Sequence, residues 1–405
     1  MSARRDLCRY GGAALIAALF VILDASAGAA DTRHLCEPAG TKPGKPGDHG
    51  AILQAVDAMP EPADDGWPVS TLAAEGFRTE PIAEMIDVLG LDYFEKLDSI
   101  LIARHGKLVF EAYFNGFDRE TKHDTRSAFK SITSTLAGIA LERGDIESVD
   151  VPMHGYFPDY WTDLAGDKAV KEQITLDHLL TMTPGFRAEE NFNVGPFVEN
   201  DMWRSGDWYR FSLDLPMWYG PGKQFLYNSS TTFLIGAIVA RATGMPLPDF
   251  AKATLFDPLG ITAYCWTLTP KGRAVAQRSF FMRPRDMLKF GQMILDGGVW
   301  EGNRIVSERW IEEASHHRFD AVPPGTVQVG IPTMGYGYQW WTERPEAGED
   351  PRVGRYFASG NGGQKIYVFP DLDMVVVFTG SNYNKPIGHK QPNLILDRWI
   401  LPAVL

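Results

Sequence analysis

Cysteine is scarce, with three residues in a chain of 405, at positions 8, 36 and 265. No two of them form a Cys-x-x-Cys pair. His-Glu-x-x-His and a phosphate-binding P-loop are absent as well, so no common zinc, thiol-redox or nucleotide signature is present. There is no repeat period, heptad run or long low-complexity stretch, which sets aside solenoids and coiled coils. Positive charge is also in deficit. Thirty-nine Lys and Arg stand against 51 Asp and Glu, a net charge of −12, which disfavours nucleic acid and anionic membrane surfaces as partners. One apolar run stands out, Ala13 to Leu23, and it is too short to span a bilayer comfortably.

What remains is an ordinary globular composition, 44% hydrophobic and 22% charged, long enough for one elaborate domain or two intimate halves. Residues 1–30 read as a signal peptide. Arg4, Arg5 and Arg9 form the positive start, Ala13 to Leu23 the apolar stretch, and Ala25-Ser-Ala27 or Ala27-Gly-Ala29 the cleavage site. A secreted or periplasmic protein with no membrane span in its mature chain is expected. Cys8 leaves with the signal. Cys36 and Cys265 then form one disulfide tying an arm to the body, or stay as two unrelated buried thiols; the sequence leaves both open. Residues 31–66 read as that arm, with Glu37 to Gly50 a loose tether, and the folded body is expected over 67–405.

Within the body, Glu80 to Lys96 has the pattern of an amphipathic helix. Ile100 to Arg104 and Lys107 to Phe114 are strand-like runs split by His105-Gly106, a hairpin signal. Helices are predicted from the Arg126 stretch to Arg143-Gly144, over Ile174 to Met182, Tyr227 to Thr243, Arg285 to Gly297, Trp310 to Ala314 and Asn393 to Ile400. Strands are predicted at Gly337 to Trp341, Gln364 to Phe369 and Met374 to Thr379. Strands at both ends around a helical middle imply an α/β (α+β) fold, one sheet built from both termini with a helical subdomain at about 145–325.

Three stretches carry candidate chemistry. In the first, Ser127 and Lys130 are three apart at a helix start, so both side chains lie on one face. A serine hydroxyl needs a base to act as a nucleophile, and a lysine serves if burial lowers its pKa. The bland alternative is a capping serine and a solvated lysine. The second is Pro221 to Ser229, where Tyr227 is placed to share a proton with a Ser–Lys pair, or to be a core tyrosine beside a cap. The third is Ser359-Gly360-Asn361-Gly362-Gly363-Gln364, glycines ahead of a strand that let a ligand lie against the backbone.

Taken together, Ser-x-x-Lys, a Tyr motif about a hundred residues on and a Gly-rich strand entry resemble the serine β-lactamase and penicillin-binding-protein superfamily. The class C-like branch, which includes esterases, D-stereospecific peptidases and 6-aminohexanoate-oligomer hydrolases, is the one the chain is similar to. Blocks such as RSAFKSITSTLAGIALERG, ITLDHLLTMTPG, FLYNSSTTFLIGAIVARATG and GNGGQKIYVFPDLDMVVVF follow in family order, from about Trp67 to Asn382. The resemblance implies Ser127 as the acylated nucleophile, Lys130 as its basic partner and Tyr227 as the proton shuttle. It further implies the backbone N–H groups of Ser127 and Gln364 as the oxyanion hole, no metal or organic cofactor, and, joined to the signal peptide, an exported serine hydrolase of small ester or amide substrates. His178 and the His316-His317 pair read as structural or exposed.

Two positions depart from the family pattern. Ser229 stands where the family has Asn, so an amide contact to substrate is lost or replaced. Asn361-Gly362-Gly363 stands where the family has Lys-Thr-Gly or His-Gly-Gly. A neutral amide cannot hold a substrate carboxylate, which favours esters or amides without one, unless Arg285, Lys365 or Arg398 brings a cation to the site. The alternatives are a β-lactamase or D,D-peptidase, and a non-catalytic envelope binding protein of the same fold.

Overall fold

Valine, isoleucine and aromatic runs from the two ends of the chain find their partners in each other. The computed structural model describes residues 32–36, 52–53, 55–90, 94–191, 195–321, 334–344 and 348–405; the expected signal peptide and most of the arm, including Glu37 to Gly50, lie outside the described residues. Early in the chain come β1 (Arg33–His34), β2 (Ile52–Leu53), β3 (Leu97–Arg104), β4 (Lys107–Tyr113) and β5 (His123–Asp124). The middle contributes β6 (Tyr264–Leu268), β7 (Phe280–Met282), β8 (Val299–Trp300) and β9 (Asn303–Arg304). The last six are β10 (Phe319–Asp320), β11 (Met334–Tyr336), β12 (Trp341–Glu343), β13 (Arg355–Gly360), β14 (Gln364–Phe369) and β15 (Met374–Gly380). A nine-stranded sheet runs β10-β11-β12-β13-β14-β15-β3-β4-β2, so β15 lies against β3 with Val376 opposite Ile102. The expected sheet built from both termini is therefore present, and its pairs are antiparallel.

Both faces of the sheet are covered. Helices α1 (Thr79–Leu89), α2 (Phe129–Glu142), α3 (Leu176–Leu180), α4 (Ser229–Thr243), α5 (Pro284–Leu295), α6 (Glu308–Ser315) and α7 (Ile387–Ile395) supply most of the cover. One core joins Ile366, Val368, Val375 and Val377 to Ile132 and Leu136 of α2 and Met287 and Phe290 of α5. The other joins Ile100, Ile102, Val376 and Phe378 to Ile82 and Met85 of α1 and to Leu396 and Trp399 beyond α7. Alternate residues of one strand thus serve opposite layers, each burial contributing about 1.5–3 kcal/mol. Gly291 marks how closely α5 approaches the sheet: a Cβ there would stand 2.6 Å from Val375 and 2.8 Å from Ile366.

Capping residues moved several helix ends from where periodicity put them. Asn228 caps α4 by accepting from Thr231 N, so the helix begins at Ser229 and leaves Tyr227 just outside. Thr175 and His178 form a capping box that starts α3 at Leu176, which gives His178 its structural role. α1 ends at Leu89, with Gly90 at its cap, well short of Lys96. The last helix begins at Ile387 and continues past Ile395 as a π-helical stretch, Leu396–Ile400. Of the predicted strand over Gly337 to Trp341, Trp341 opens β12 and the rest is instead a turn between β11 and β12, closed by Gly337 N donating to Trp340 O at 2.9 Å, with Gln339 at φ 63°. Its aromatic residues are buried as a strand's would be, and burial alone does not distinguish a packed turn from a strand.

A smaller four-stranded sheet, β1-β6-β7-β5, anchors the arm. Arg33 pairs with Leu268 and His34 with Thr267, and Cys36 is joined to Cys265 by a disulfide, their Cα atoms 5.5 Å apart. This resolves the choice between a bridge and two free thiols. The bridge spans 229 residues, and cross-links over long loops stabilise by about 2–4 kcal/mol. Cys36→Ser or reduction should therefore lower the melting temperature measurably in a calorimetric scan; an unchanged transition would show that the arm contributes nothing to the fold.

Candidate active site

Asp124, the last residue of β5, pins the turn that carries the nucleophile candidate. Its carboxylate accepts from Arg126 N at 2.9 Å and pairs with Arg126 Nε at 2.9 Å, while the guanidinium lies over the Tyr383 ring at 4.4 Å. Arg126 is held at φ 49°, a left-handed conformation that costs a residue with a Cβ about 1–2 kcal/mol. A 3₁₀ turn, Arg126–Ala128, then feeds directly into α2. Ser127 therefore sits one turn ahead of the helix proper and is half-buried, whereas Ala128, Phe129 and Lys130 are fully buried. Phe129 stacks on Phe280 at 4.4 Å and meets Trp266 edge-on at 5.1 Å, which fixes the start of α2 against the smaller sheet.

The Lys130 side chain runs inward. It is 1% exposed, and Nζ donates to Ser229 Oγ at 3.1 Å and to the Gln277 carbonyl at 3.3 Å. Ser229 in turn donates its hydroxyl to Glu190 Oε2 at 2.7 Å, and its N–H lies 3.0 Å from both Glu190 oxygens. Behind them Glu199 is paired with Arg278 at 2.8 Å. Burial lowers the Lys130 pKa, partly opposed by the charges of Glu190 and Glu199. Burial also raises Glu190, reinforced by Glu199 and opposed by Lys130. Removing both groups from water thus pushes lysine and carboxyl toward a shared proton. Ser229, expected to touch substrate, is instead the link between them.

Tyr227 closes the group. Its hydroxyl lies close enough to Ser127 to feel that side chain, which opposes the shift, but burial holds its pKa far above the ordinary phenol range, so it keeps its proton at neutral pH. Lys130 Nζ lies 5.3 Å from the Tyr227 ring centroid. The ring itself is wedged by Trp341, stacked at 5.5 Å, and by Tyr336 edge-on at 6.1 Å. The structure thus brings Ser127, Lys130, Tyr227 and Ser229 together.

The Gly-rich stretch is the tip of the β13–β14 hairpin, where Gly360 pairs with Gln364 and Gly362 and Gly363 take φ 97° and 113°. β12 pairs with β13 only as far as Phe357, so from Ala358 to Gly360 one edge of β13 is open. That edge faces the nucleophile turn: a Cβ on Gly360 would lie 2.4 Å from the Thr125 carbonyl and 3.0 Å from Arg126 Cβ. Gln364, by contrast, lies on an interior strand with β13 on one side and β15 on the other. Its side-chain amide donates to the Gly380 carbonyl and its Oε1 accepts from Gly380 N. Its position suits a strut of the sheet better than the expected oxyanion donor. Asn361 is tied to Asn384 in both directions, so its amide is spent on a loop. Of the three cations considered, Arg285 pairs with Glu111 and Asp65 and Arg398 with Glu84; only Lys365 reaches the open edge, at Ser359.

Three supporting residues had no sequence signal. Glu190 is one of two adjacent acids in a loop, and only the fold shows which faces Ser229. Gln277 offers a backbone carbonyl, which no motif encodes. Gln339 receives Ser131 Oγ at its carbonyl and Thr232 Oγ1 at its amide oxygen, and donates to the Leu179 and Leu180 carbonyls, so it locks α2, α3 and α4 together. Of the aromatic residues between Trp203 and Trp218, Trp208 is core whereas Trp218 is exposed. Among the described residues no cluster of His, Cys, Asp and Glu could hold a metal ion.

A half-buried serine close to a buried tyrosine and one turn from a desolvated lysine suits a serine hydrolase. The chain belongs to the Beta-lactamase family, whose model matches residues 96–397. It is 27% identical over 355 residues to the 6-aminohexanoate-dimer hydrolase of Paenarthrobacter ureafaciens, covering 83% of this chain and 85% of that protein. It is 28% identical over 178 residues to esterase EstB of Burkholderia gladioli, covering 40% and 44% of the two chains. A penicillin-binding-protein homologue from Caulobacter crescentus has the same fold, with a TM-score of 0.60 at 15% identity over 80% of this chain and 98% of that one.

Glu190 gives the site its sharpest test. A base must be neutral to work, so kcat/KM should rise with pH through a midpoint well below the ordinary lysine value. The Glu190 charge raises the Lys130 pKa, so Glu190→Gln should move that rising limb to lower pH by about one unit. A pH–rate profile with an unmoved limb would show that Glu190 does not act on the base.

Proposed function

We propose that this protein is an exported hydrolase that cleaves small esters or amides through an acyl-enzyme on Ser127. The observation that carries the reading is the buried Lys130 Nζ over the Tyr227 ring, one helical turn from Ser127 on the same stretch. In this scheme Ser127 Oγ attacks the carbonyl carbon while its proton passes by way of Tyr227 toward Lys130. The tetrahedral intermediate collapses, the leaving group takes that proton and departs as an alcohol or amine, and water repeats the sequence to free the acid. Tyr227 relays a proton as a phenol, and Lys130 is the base, because burial raises one pKa and lowers the other. The developing oxyanion is served by the Ser127 N–H and, in place of Gln364, by that of Asn361 at the end of the open β13 edge.

Relatives that are a 6-aminohexanoate-dimer hydrolase and an esterase support linear amides and esters ahead of strained β-lactams. An intact Ser127–Tyr227–Lys130 group weighs against a binding protein without catalysis. Export is supported by the charged, apolar and small-residue order of 1–30, and by a disulfide that suits an oxidising compartment.

A fluorophosphonate probe should label the enzyme on the peptide containing Ser127 and leave Ser127→Ala unlabelled; an adduct on Ser131, Ser134 or Ser229 would overturn the assignment. Lys130→Arg should lose about 10²-fold or more in acylation rate, because a guanidinium does not deprotonate near neutral pH. Wild-type rates in that variant would refute the base. For export, intact mass of the protein from a periplasmic fraction should show a mature start between residues 28 and 30. Retention of residues 1–27 in the cytoplasm would refute it.

A further inference from the structure

The catalytic scheme draws its two oxyanion donors, the N–H groups of Ser127 and Asn361, from elements far apart in sequence, and it makes no use of the segment that follows β15. That segment touches both of them. The Tyr383 ring carries the Arg126 guanidinium over one face at 4.4 Å. It also lies against the hairpin tip, where a Cβ on Gly362 would stand 2.6 Å from its Cδ1 and 2.8 Å from its Cε1. Arg126 directly precedes Ser127 and Gly362 directly follows Asn361. One aromatic ring therefore packs against the immediate neighbour of each donor.

Hydrogen bonds tie the same segment to the tip. Asn384 N donates to Asn361 Oδ1 at 2.7 Å, and its Oδ1 accepts from Asn361 Nδ2 at 2.5 Å. Asn382 N donates to the Gly362 carbonyl at 3.1 Å. The base of the segment is anchored in turn. Ser381 N donates to the Lys96 carbonyl at 2.8 Å, and Asn382 Nδ2 reaches the Glu95 carbonyl at 2.7 Å and Gln391 Oε1 at 2.9 Å. The Ser381 hydroxyl donates to Asp98, whose carboxylate lies 3.0 Å from Nε2 of the buried His123. His123 is the residue before Asp124, which pins the nucleophile turn. Contacts thus run in a closed circuit from that turn through Tyr383 to the tip, and back through Ser381, Asp98 and His123. Asn384 is exposed and held at φ 61°, and a hydrogen bond at the surface contributes little to stability. Its reciprocal pairing with Asn361 is better explained by what it holds in place.

We propose that residues 381–384 form a clasp that sets the spacing of the oxyanion hole, with Tyr383 as the spacer between the two donor segments and Asn384 as the tie that keeps the Asn361 backbone in register. This deepens the hydrolase reading above and rests on it. Both are positioning residues, acting through Arg126, Gly362 and Asn361 without touching substrate. A hydrogen bond weakens steeply with poor distance and angle, and oxyanion donors are effective because they are already in place when charge develops. Two donors on separate elements keep that geometry only if something fixes one element against the other.

A pair of substrates that differ in one atom tests this on the intact mature enzyme. In 4-nitrophenyl butyrate the oxyanion forms on oxygen; in O-(4-nitrophenyl) thionobutyrate it forms on sulfur, a larger and weaker acceptor that profits little from the same donors. Each kcat/KM is divided by the hydroxide-catalysed rate of that substrate, and the oxygen-to-sulfur ratio then reads the hole. Tyr383→Ala should lower this ratio by about tenfold or more, whereas Tyr383→Phe, which keeps the ring, should retain it. Asn384→Gly suits the left-handed backbone and removes only the amide, and should lower the ratio by about three- to tenfold. Asn361→Ala combined with Asn384→Gly should do no worse than either alone, because the two act through one tie. Equal losses on both substrates would mark a merely structural role and overturn the proposal, as would a ratio unmoved in Tyr383→Ala and Asn384→Gly, or one that falls as far in Tyr383→Phe as in Tyr383→Ala. Should Tyr383→Ala not fold, Asn384→Gly at its exposed site decides by the same ratio. If Ser127→Ala turns over the oxygen ester as fast as wild type, the hydrolase reading itself fails; if Ser127 is required and the ratios do not move, only the clasp fails.

Discussion

The cost of burying one ammonium group organises the centre of this protein. Lys130 sits at the inner end of the nucleophile helix, away from water, and nearly everything around it compensates for that placement. The Ser229 hydroxyl and the Gln277 carbonyl accept from it, Glu190 stands one hydroxyl further on, and the Tyr227 ring covers it. Desolvation that is only partly offset leaves the lysine easier to deprotonate than one in water. Full compensation would give a permanently charged lysine, and none would leave its pKa too low to hold a transferred proton. The intermediate case suits the base of the proposed reaction.

The chemistry is assembled from three separate parts of the chain, and each is held by packing that is not itself chemical. The nucleophile turn is clamped between Asp124 and Tyr383 and seated by Phe129 on Phe280. The tyrosine is fixed by the Asn228 cap of α4 on one side and by Trp341 on the other. The hairpin tip is brought up by Gly360, where the absence of a side chain lets two backbones touch. Gln339, in a turn with no role of its own in the reaction, ties the three helices α2, α3 and α4 at one point.

Much of this was legible in the sequence, and the rest was hidden for identifiable reasons. Ser127, Lys130 and Tyr227 could be singled out because the proposed reaction needs their types and spacing, and the sheet topology followed from strand-like runs at both ends. Helix starts were less readable, since Thr175 and Asn228 set them by capping and periodicity does not register a cap. The turn from Gly337 to Trp340 looked like a strand because its aromatic side chains are buried like a strand's. Glu190 was invisible, being brought to Ser229 by a long-range fold with no local pattern. The Gly-rich motif was seen correctly as a strand entry, but its functional edge is the strand before it, Ala358 to Gly360, because β12 stops short at Phe357. Pairing extent is a property of two strands together and cannot be read from either alone.

The bond between Cys36 and Cys265 has one more consequence. It encloses the nucleophile turn, the Glu190 loop and the Tyr227 segment within a single covalent ring of the chain. A protease that nicks a loop anywhere between the two cysteines produces two pieces that remain chemically one molecule, with Ser127 and Tyr227 still joined even when the cut falls between them. Damage of that kind in an oxidising setting leaves the reacting groups tethered at high local concentration, and it comes to light on a gel only after reduction.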